Sequence, residues 1–288
     1  MGLFQHTKNQ QVTPRGKVMA FINQKGGVGK TTMAFNTAHA LAHKGHKVLC
    51  IDMDPQGNLS LLFTVDAPSK HIHHLLINSL RELKAMHIPA LYTQTMVRVG
   101  KVDLIPAGQE LSGLELTVAG INSPRQLILK KFLEKNAVLE QYDYVIIDGP
   151  PTLGLLVVNI LCACDGVMIP FRPDEFSKKG LHHFYNVLED IADMGIVTVP
   201  QILAHIPNLI EGRRKQESAE LEKMSDAIIE EFGAPKLVMP FKNKASLSKA
   251  LAQNKSVFDF SSKEYLPLQG QFNTMADIII NWQESYHG

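Results

Sequence analysis

The stretch "KVMAFINQKGGVGKTT", residues 17–32, limits the possible folds more than any other part of the chain. An apolar run leads into a glycine-rich loop, and a helix-forming segment follows at once. Phosphate-binding loops have this strand, loop, helix order, because backbone N–H groups turn inward around the phosphates and the helix N-terminus adds its positive dipole. The loop departs from the pattern G-x-x-x-x-G-K-[ST] at one point: Gln24 stands where the first glycine belongs, and Lys25 follows it. On this reading Gly26, Gly27, Val28, Gly29, Lys30, Thr31 and Thr32 hold phosphates. Lys30 would neutralise the outer ones, and the Thr31 hydroxyl would ligate Mg2+.

The rest of the chain alternates in the same way. Apolar runs suited to strands buried on both faces lie at 17–23, 47–52, 102–107, 144–148, 166–171 and 201–206. Helical patterns lie at 31–44, 123–135 (opening on Ser123-Pro124), 178–194 and 217–232. This predicts an α/β fold, a doubly wound and mostly parallel sheet flanked by helices, as in the P-loop NTPases. Residues 1–15 read as a polar, flexible tail and 16–288 as one domain, with the His-rich stretch 68–94 peripheral.

Composition excludes more than it assigns. A net charge of +1 offers no global pull on polyanions, so any nucleic-acid contact must come from a local patch. Cys50, Cys162 and Cys164 sit in apolar contexts without Cys-x-x-Cys spacing, which predicts buried, reduced thiols. With no apolar leader and no run of about 18 apolar residues, a cytoplasmic location is expected.

Two further segments place acids where a phosphate site needs them. Asp148 ends the run "YDYVIID", where a strand-end carboxylate beside the loop can hold Mg2+ through water. "LCIDMDPQGN" ends another strand with Asp52 and Asp54. His71, His73 and His74 have no acid or Cys at ligand spacing beside them and read as a solvated helix end.

Taken in order, "KGGVGKTT", "IDMDPQGN" and "YDYVIIDGPPTLGLL" resemble the ParA/Soj partition ATPases, within the deviant Walker A group that includes MinD. "VDLIPAGQELSGLEL" and "VMIPFRPDEFSKKGL" extend the resemblance over about residues 17–285. The family implies ATP and Mg2+ as cofactors and an ATP-dependent sandwich homodimer. It also implies that Lys25 reaches across that dimer to the phosphates held by the other subunit. Lys25, Lys30 and Asp54 become the catalytic set, with Asp54 orienting water. Asp52 supports the Mg2+ region, joining Thr31 and Asp148 as metal residues. No Asn-Lys-x-Asp motif reads guanine, so ATP is preferred, with Asn208 and Pro240 expected near the adenine.

The family also implies non-specific binding to double-stranded DNA, association with the nucleoid, and hydrolysis stimulated by a ParB-like centromere-binding partner or a cargo adaptor. Expected DNA contacts are Arg213, Arg214 and Lys215 with Lys236, Lys242, Lys244, Lys249 and Lys255, the last five in a segment without acids. That segment has "PFKNKASLSKA" where the family often carries arginines. The rival reading is a MinD-like or adaptor-linked ATPase that positions a non-DNA cargo or acts at the membrane. The C-terminal "FNTMADIIINWQESYHG" lacks the basic residues of a membrane-surface helix, so Ile278, Ile279, Ile280 and Trp282 are read as packing, without stable membrane insertion. The tail is too short for a helix-turn-helix domain, so no operator-specific binding is expected.

Overall fold

The computed structural model describes residues 15–81, 86–172, 175–210, 219, 221–223, 226, 230, 240–242 and 244–285. Among them, seven strands form one sheet in the order β3-β4-β2-β5-β1-β6-β7. These are β1 Lys17–Phe21, β2 Val48–Asp52, β3 Val97–Val99, β4 Val102–Ile105, β5 Tyr144–Asp148, β6 Gly166–Phe171 and β7 Gln201–Pro207. Only the β3–β4 pair is antiparallel among them. Strand β3, three residues long, was not foreseen, because "VRV" is too short to display alternation.

The helices are α1 Lys30–His43, α2 Asn58–Leu62, α3 Ile72–Ser79, α4 Ala90–Thr95, α5 Leu114–Thr117, α6 Ile128–Lys135, α7 Val138–Gln141, α8 Leu155–Ala163, α9 Glu175–Met194, α10 Ala245–Ala252 and α11 Leu266–Ser285. Side chains alternate across the central strands and divide the core in two. Val18, Ala20, Leu49, Ile51, Val145 and Ile147 pack with α3, α6, α8 and α9 on one face. Met19, Phe21, Val48, Cys50, Tyr144 and Ile146 pack with α1 and α11 on the other. Burying each large apolar side chain contributes about 1.5–3 kcal/mol, which is why continuous apolar strands need helices on both faces.

Three local expectations change. The stretch 68–94 is not peripheral, since α3 sends Ile72, Leu75 and Leu76 into the first core. Ser123-Pro124 does not open the helix that follows. A 3-10 turn over Arg125–Leu127 precedes α6, and buried Asn159 of α8 caps the helix from a distance. Its Oδ1 accepts from the N–H groups of Ile128 at 2.8 Å and Leu129 at 3.2 Å, and its Nδ2 donates to Arg125 O at 2.8 Å. The segment 217–232 lies largely outside the described residues.

At the C-terminus, Ile279 is fully buried against α1, and Ile278, Ile280 and Trp282 pack partly on the same core. No helix among the described residues is long and apolar enough to cross a membrane. All three cysteines are buried and unpaired.

His205 on β7 is fully buried, 3.3 Å from the Tyr185 hydroxyl, and burial lowers its pKa to about 4. Its folded-state pKa therefore lies below the ordinary 6.5. Its contribution to stability is complete above that value and is lost as pH falls through about 4, at most about 3 kcal/mol. Chemical denaturation of His205→Gln should give a stability curve shallower by about one proton over that window. Some slope should persist, because burial lowers His39 to about 4 as well.

Candidate nucleotide site

The loop between β1 and α1 is shaped by residues from far along the chain. Asn23, two residues past β1, donates through Nδ2 to Pro170 O at 2.7 Å and accepts from the Lys25 N–H at 2.9 Å, fixing the entry to the loop. Gly27 and Gly29 have φ of 72° and 93°, the left-handed region that glycine enters without strain. Asn208, just past β7, donates through Nδ2 to Val28 O at 2.8 Å. A Cβ on Gly29 would lie 2.2 Å from that same Nδ2, so the absence of a side chain is what admits Asn208. Sequence reading placed Asn208 near the adenine; it lines the same cavity as the loop glycines, and its amide nitrogen holds the loop backbone. Nothing in the local sequence signalled either asparagine's partner.

The acids meet through strand register. Asp52 at the end of β2 is paired in register with Asp148 at the end of β5, and Asp148 with Phe21 at the end of β1, immediately before the loop. Both aspartates are fully buried. Asp52 accepts from the Asp54 N–H at 3.1 Å, and from Ser60 N–H at 2.8 Å and Ser60 hydroxyl at 2.7 Å. Its carboxylate thus shapes the turn that presents Asp54, rather than facing a ligand with both oxygens open. Asp54 is nearly buried and accepts from the Gln56 N–H at 3.0 Å.

Burial raises the Asp148 pKa well above the ordinary carboxylate value, with Asp52 adding to the effect and the bond from Thr31 opposing it. Burial likewise raises Asp52 to about 6, against the bonds from Ser60 and the Asp54 N–H. Lys30 is lowered by burial and raised back in part by Asp148 and Asp54. These acids and one lysine share little solvent, an arrangement that favours a bound cation and an anion together.

The residues fit magnesium and a polyphosphate. The Thr31 hydroxyl donates to Asp148 Oδ2 at 2.6 Å, while Asp148 Oδ1 is buried without a partner. Hydroxyl and carboxylate oxygens are the hard donors Mg2+ takes. Among the described residues no group of three or more His, Cys, Asp or Glu could hold a metal ion, so Mg2+ here would keep waters or phosphate oxygens. Lys30 Nζ reaches Lys25 O at 3.3 Å, and Gln24 Nε2 is a buried donor without a partner. Gly26, Gly27, Gly29, Lys30, Thr31 and Asp54 line one cavity of about 640 Å3, which α10 borders from the other side.

The remaining expected residues divide. Val28 is buried and Thr32 half-buried in the loop and first turn of α1. Pro240 is half-buried, its carbonyl accepting from Gln271 at 3.1 Å, and it does not line the cavity. Lys242, Lys249 and Lys255 are exposed, Lys244 is half-buried just before α10, and Lys242 also lines the cavity. Arg213, Arg214, Lys215 and Lys236 lie outside the described residues. His71 is buried rather than solvated, with Nε2 3.1 Å from Glu110.

Gly29→Ala would put a side chain at a left-handed φ and drive Asn208 from Val28, a combined cost of about 2–4 kcal/mol. Urea denaturation should show that loss, and binding of a fluorescent ATP analogue should disappear. Asn208→Ala, with glycine retained, should weaken binding without abolishing it.

Comparison with known proteins gives the same assignment. A family model described as an AAA domain matches residues 16–199. The chain is 32% identical to an uncharacterized protein of Methanocaldococcus jannaschii over 91% of its own length and 98% of that protein's. It is 38% identical to the sporulation initiation inhibitor protein Soj of Bacillus subtilis, covering 60% of this chain and 65% of Soj. An ATP-complexed McdA variant from Cyanothece shares the fold at a TM-score of 0.77 and 23% identity, over 93% of this chain and 97% of that one. Cobyrinic acid a,c-diamide synthase from Mycobacterium smegmatis, with an ATP analogue and magnesium bound, gives a TM-score of 0.74 at 26% identity, over 92% and 94%. With its phosphate loop, its strand-end acids and these relatives, the chain belongs to the ParA/Soj-type family of partition ATPases.

Proposed function

We propose that the chain closes into an ATP-dependent homodimer, binds DNA non-specifically in that state, and is released by hydrolysis that a ParB-like partner or cargo adaptor stimulates. Its role would be to segregate or position DNA in the cytoplasm, on the nucleoid. The observation that carries the nucleotide part is the Thr31–Asp148 bond beside an unpartnered Asp148 Oδ1, in the cavity lined by Lys30 and Asp54. Family membership carries the positioning role.

Bound Mg2+ would supply charge neutralisation at the phosphates. Thr31 and Asp148 would hold it, while Lys30 and the loop's N–H groups bind and orient the phosphates. Asp54, kept in place by the turn that Asp52 and Ser60 brace, would position the attacking water. Lys25 lies on the loop's rim beside exposed Gly26 and Gly27, a location suited to completing a second subunit's site. Two cations from two subunits around one anion would make the dimer depend on the outer phosphate.

For DNA, the described support is the set Lys244, Lys249 and Lys255, just before, on and after α10. Removing Lys244 and Lys249 together should reduce the slope of log affinity against log salt by about two, measured on non-specific duplex with ATP present.

Asp54→Ala should keep ATP binding and dimerisation while phosphate release falls by about a hundredfold or more. Lys25→Ala should bind ATP as a monomer by light scattering. Normal turnover in the first variant, or a normal ATP dimer in the second, would overturn the corresponding role.

A further inference from the structure

Lys242 is exposed, as Lys249 is, but its position sets it apart from the other described lysines of its segment. It lines the same cavity as Lys30, Thr31 and Asp54. Its placement follows from its neighbours. Phe241 is buried and packs on Phe272 with ring centroids 5.1 Å apart, and in an extended segment the next side chain points the opposite way.

The backbone there is stitched to the end of β7. Phe241 N–H donates to Pro207 O at 2.8 Å, Ile210 N–H donates to Phe241 O at 3.1 Å, and Ile210 forms a parallel bridge with Lys242. Between these contacts Leu209 turns the chain at a φ of 60°, directly after Asn208, which holds Val28. The loop and the Phe241–Lys242 segment therefore hang from the same few residues.

Helix α10 begins three residues after Lys242. Its Leu247, Ser248 and Leu251 line the cavity, while Lys249 on the same helix is exposed.

We propose that Lys242 is a nucleotide-binding residue, its ammonium meeting the phosphates of the nucleotide held by the loop, and that it thereby ties the placement of α10 to nucleotide occupancy. The inference rests on the nucleotide reading of this site and adds a cation from outside the phosphate motif. An ammonium at the cavity wall gains from an anion inside it, and a partly exposed pairing of this kind changes affinity only modestly. The lysine would then contribute to the DNA state through the helix that follows it, not by touching DNA.

The test compares full-length wild type, Lys242→Ala and Lys242→Arg for binding of ATP, ADP and adenosine at several salt concentrations, with circular dichroism melts to establish folding. In the alanine variant ATP affinity should fall about three- to tenfold, with arginine restoring most of it and adenosine unaffected. Duplex binding at saturating ATP should keep its salt slope. Unchanged ATP affinity in Lys242→Ala, or an equal loss for adenosine, would overturn the proposal, as would a salt slope lower by about one, the mark of a direct phosphate contact with DNA. Wild type that binds ATP no better than Lys30→Ala does would instead remove the nucleotide reading itself, and this proposal with it.

Discussion

The register of β5 between β1 and β2 is the constraint on which the site depends. It sets Asp148 level with Asp52 on one side and with the last residue before the phosphate loop on the other. Two carboxylates buried in one row are unfavourable without compensation, and burial raises both pKa values. The protein answers this differently for each. Asp52 is satisfied internally by Ser60 and the Asp54 N–H, so it becomes part of the scaffold. Asp148 receives one hydroxyl, and its other oxygen lacks a partner. A divalent cation is the natural resolution of that imbalance. The apolar layers on both faces hold the strands in register against the repulsion.

Much of this was legible in the sequence, for a physical reason. Parallel strands buried on both faces must be continuously apolar, so β1, β2, β4, β5, β6 and β7 stand out as runs. An acid ending such a run must lie at the sheet's carboxyl edge. Gly27, Gly29, Lys30 and Thr31 are adjacent in sequence, so their local geometry follows from local chemistry. The contacts that complete the site are not local. Asn23 meets Pro170 and Asn208 meets Val28, across 147 and 180 residues, and no periodicity announces such pairs. Asn159 capping α6 in place of Ser123 is the same kind of case. Edge strand β3 and buried His71 were missed because each needs a neighbour to define it.

The lysines show a different limit. A segment with five lysines and no acid reads as one basic surface, because sequence reports charge without direction. The structure supplies direction through Phe241, whose burial turns Lys242 the opposite way, so that Lys242 and Lys249 are both exposed but only Lys242 also borders the cavity. Charge density and charge placement are separate quantities, and only the first can be counted from the letters.

Asn208 has a consequence for how the protein comes into being. The phosphate motif is complete by residue 32, and strands β1, β2 and β5 with their acids are all made by residue 148. The residue that latches Val28 is synthesised far later, together with the last strand of the sheet. A chain still emerging from the ribosome therefore owns every letter of the motif for much of its synthesis while the loop lacks its fastening. On the nucleotide reading, full affinity would wait for residue 208, and a shorter nascent chain would hold nucleotide more weakly than a finished one.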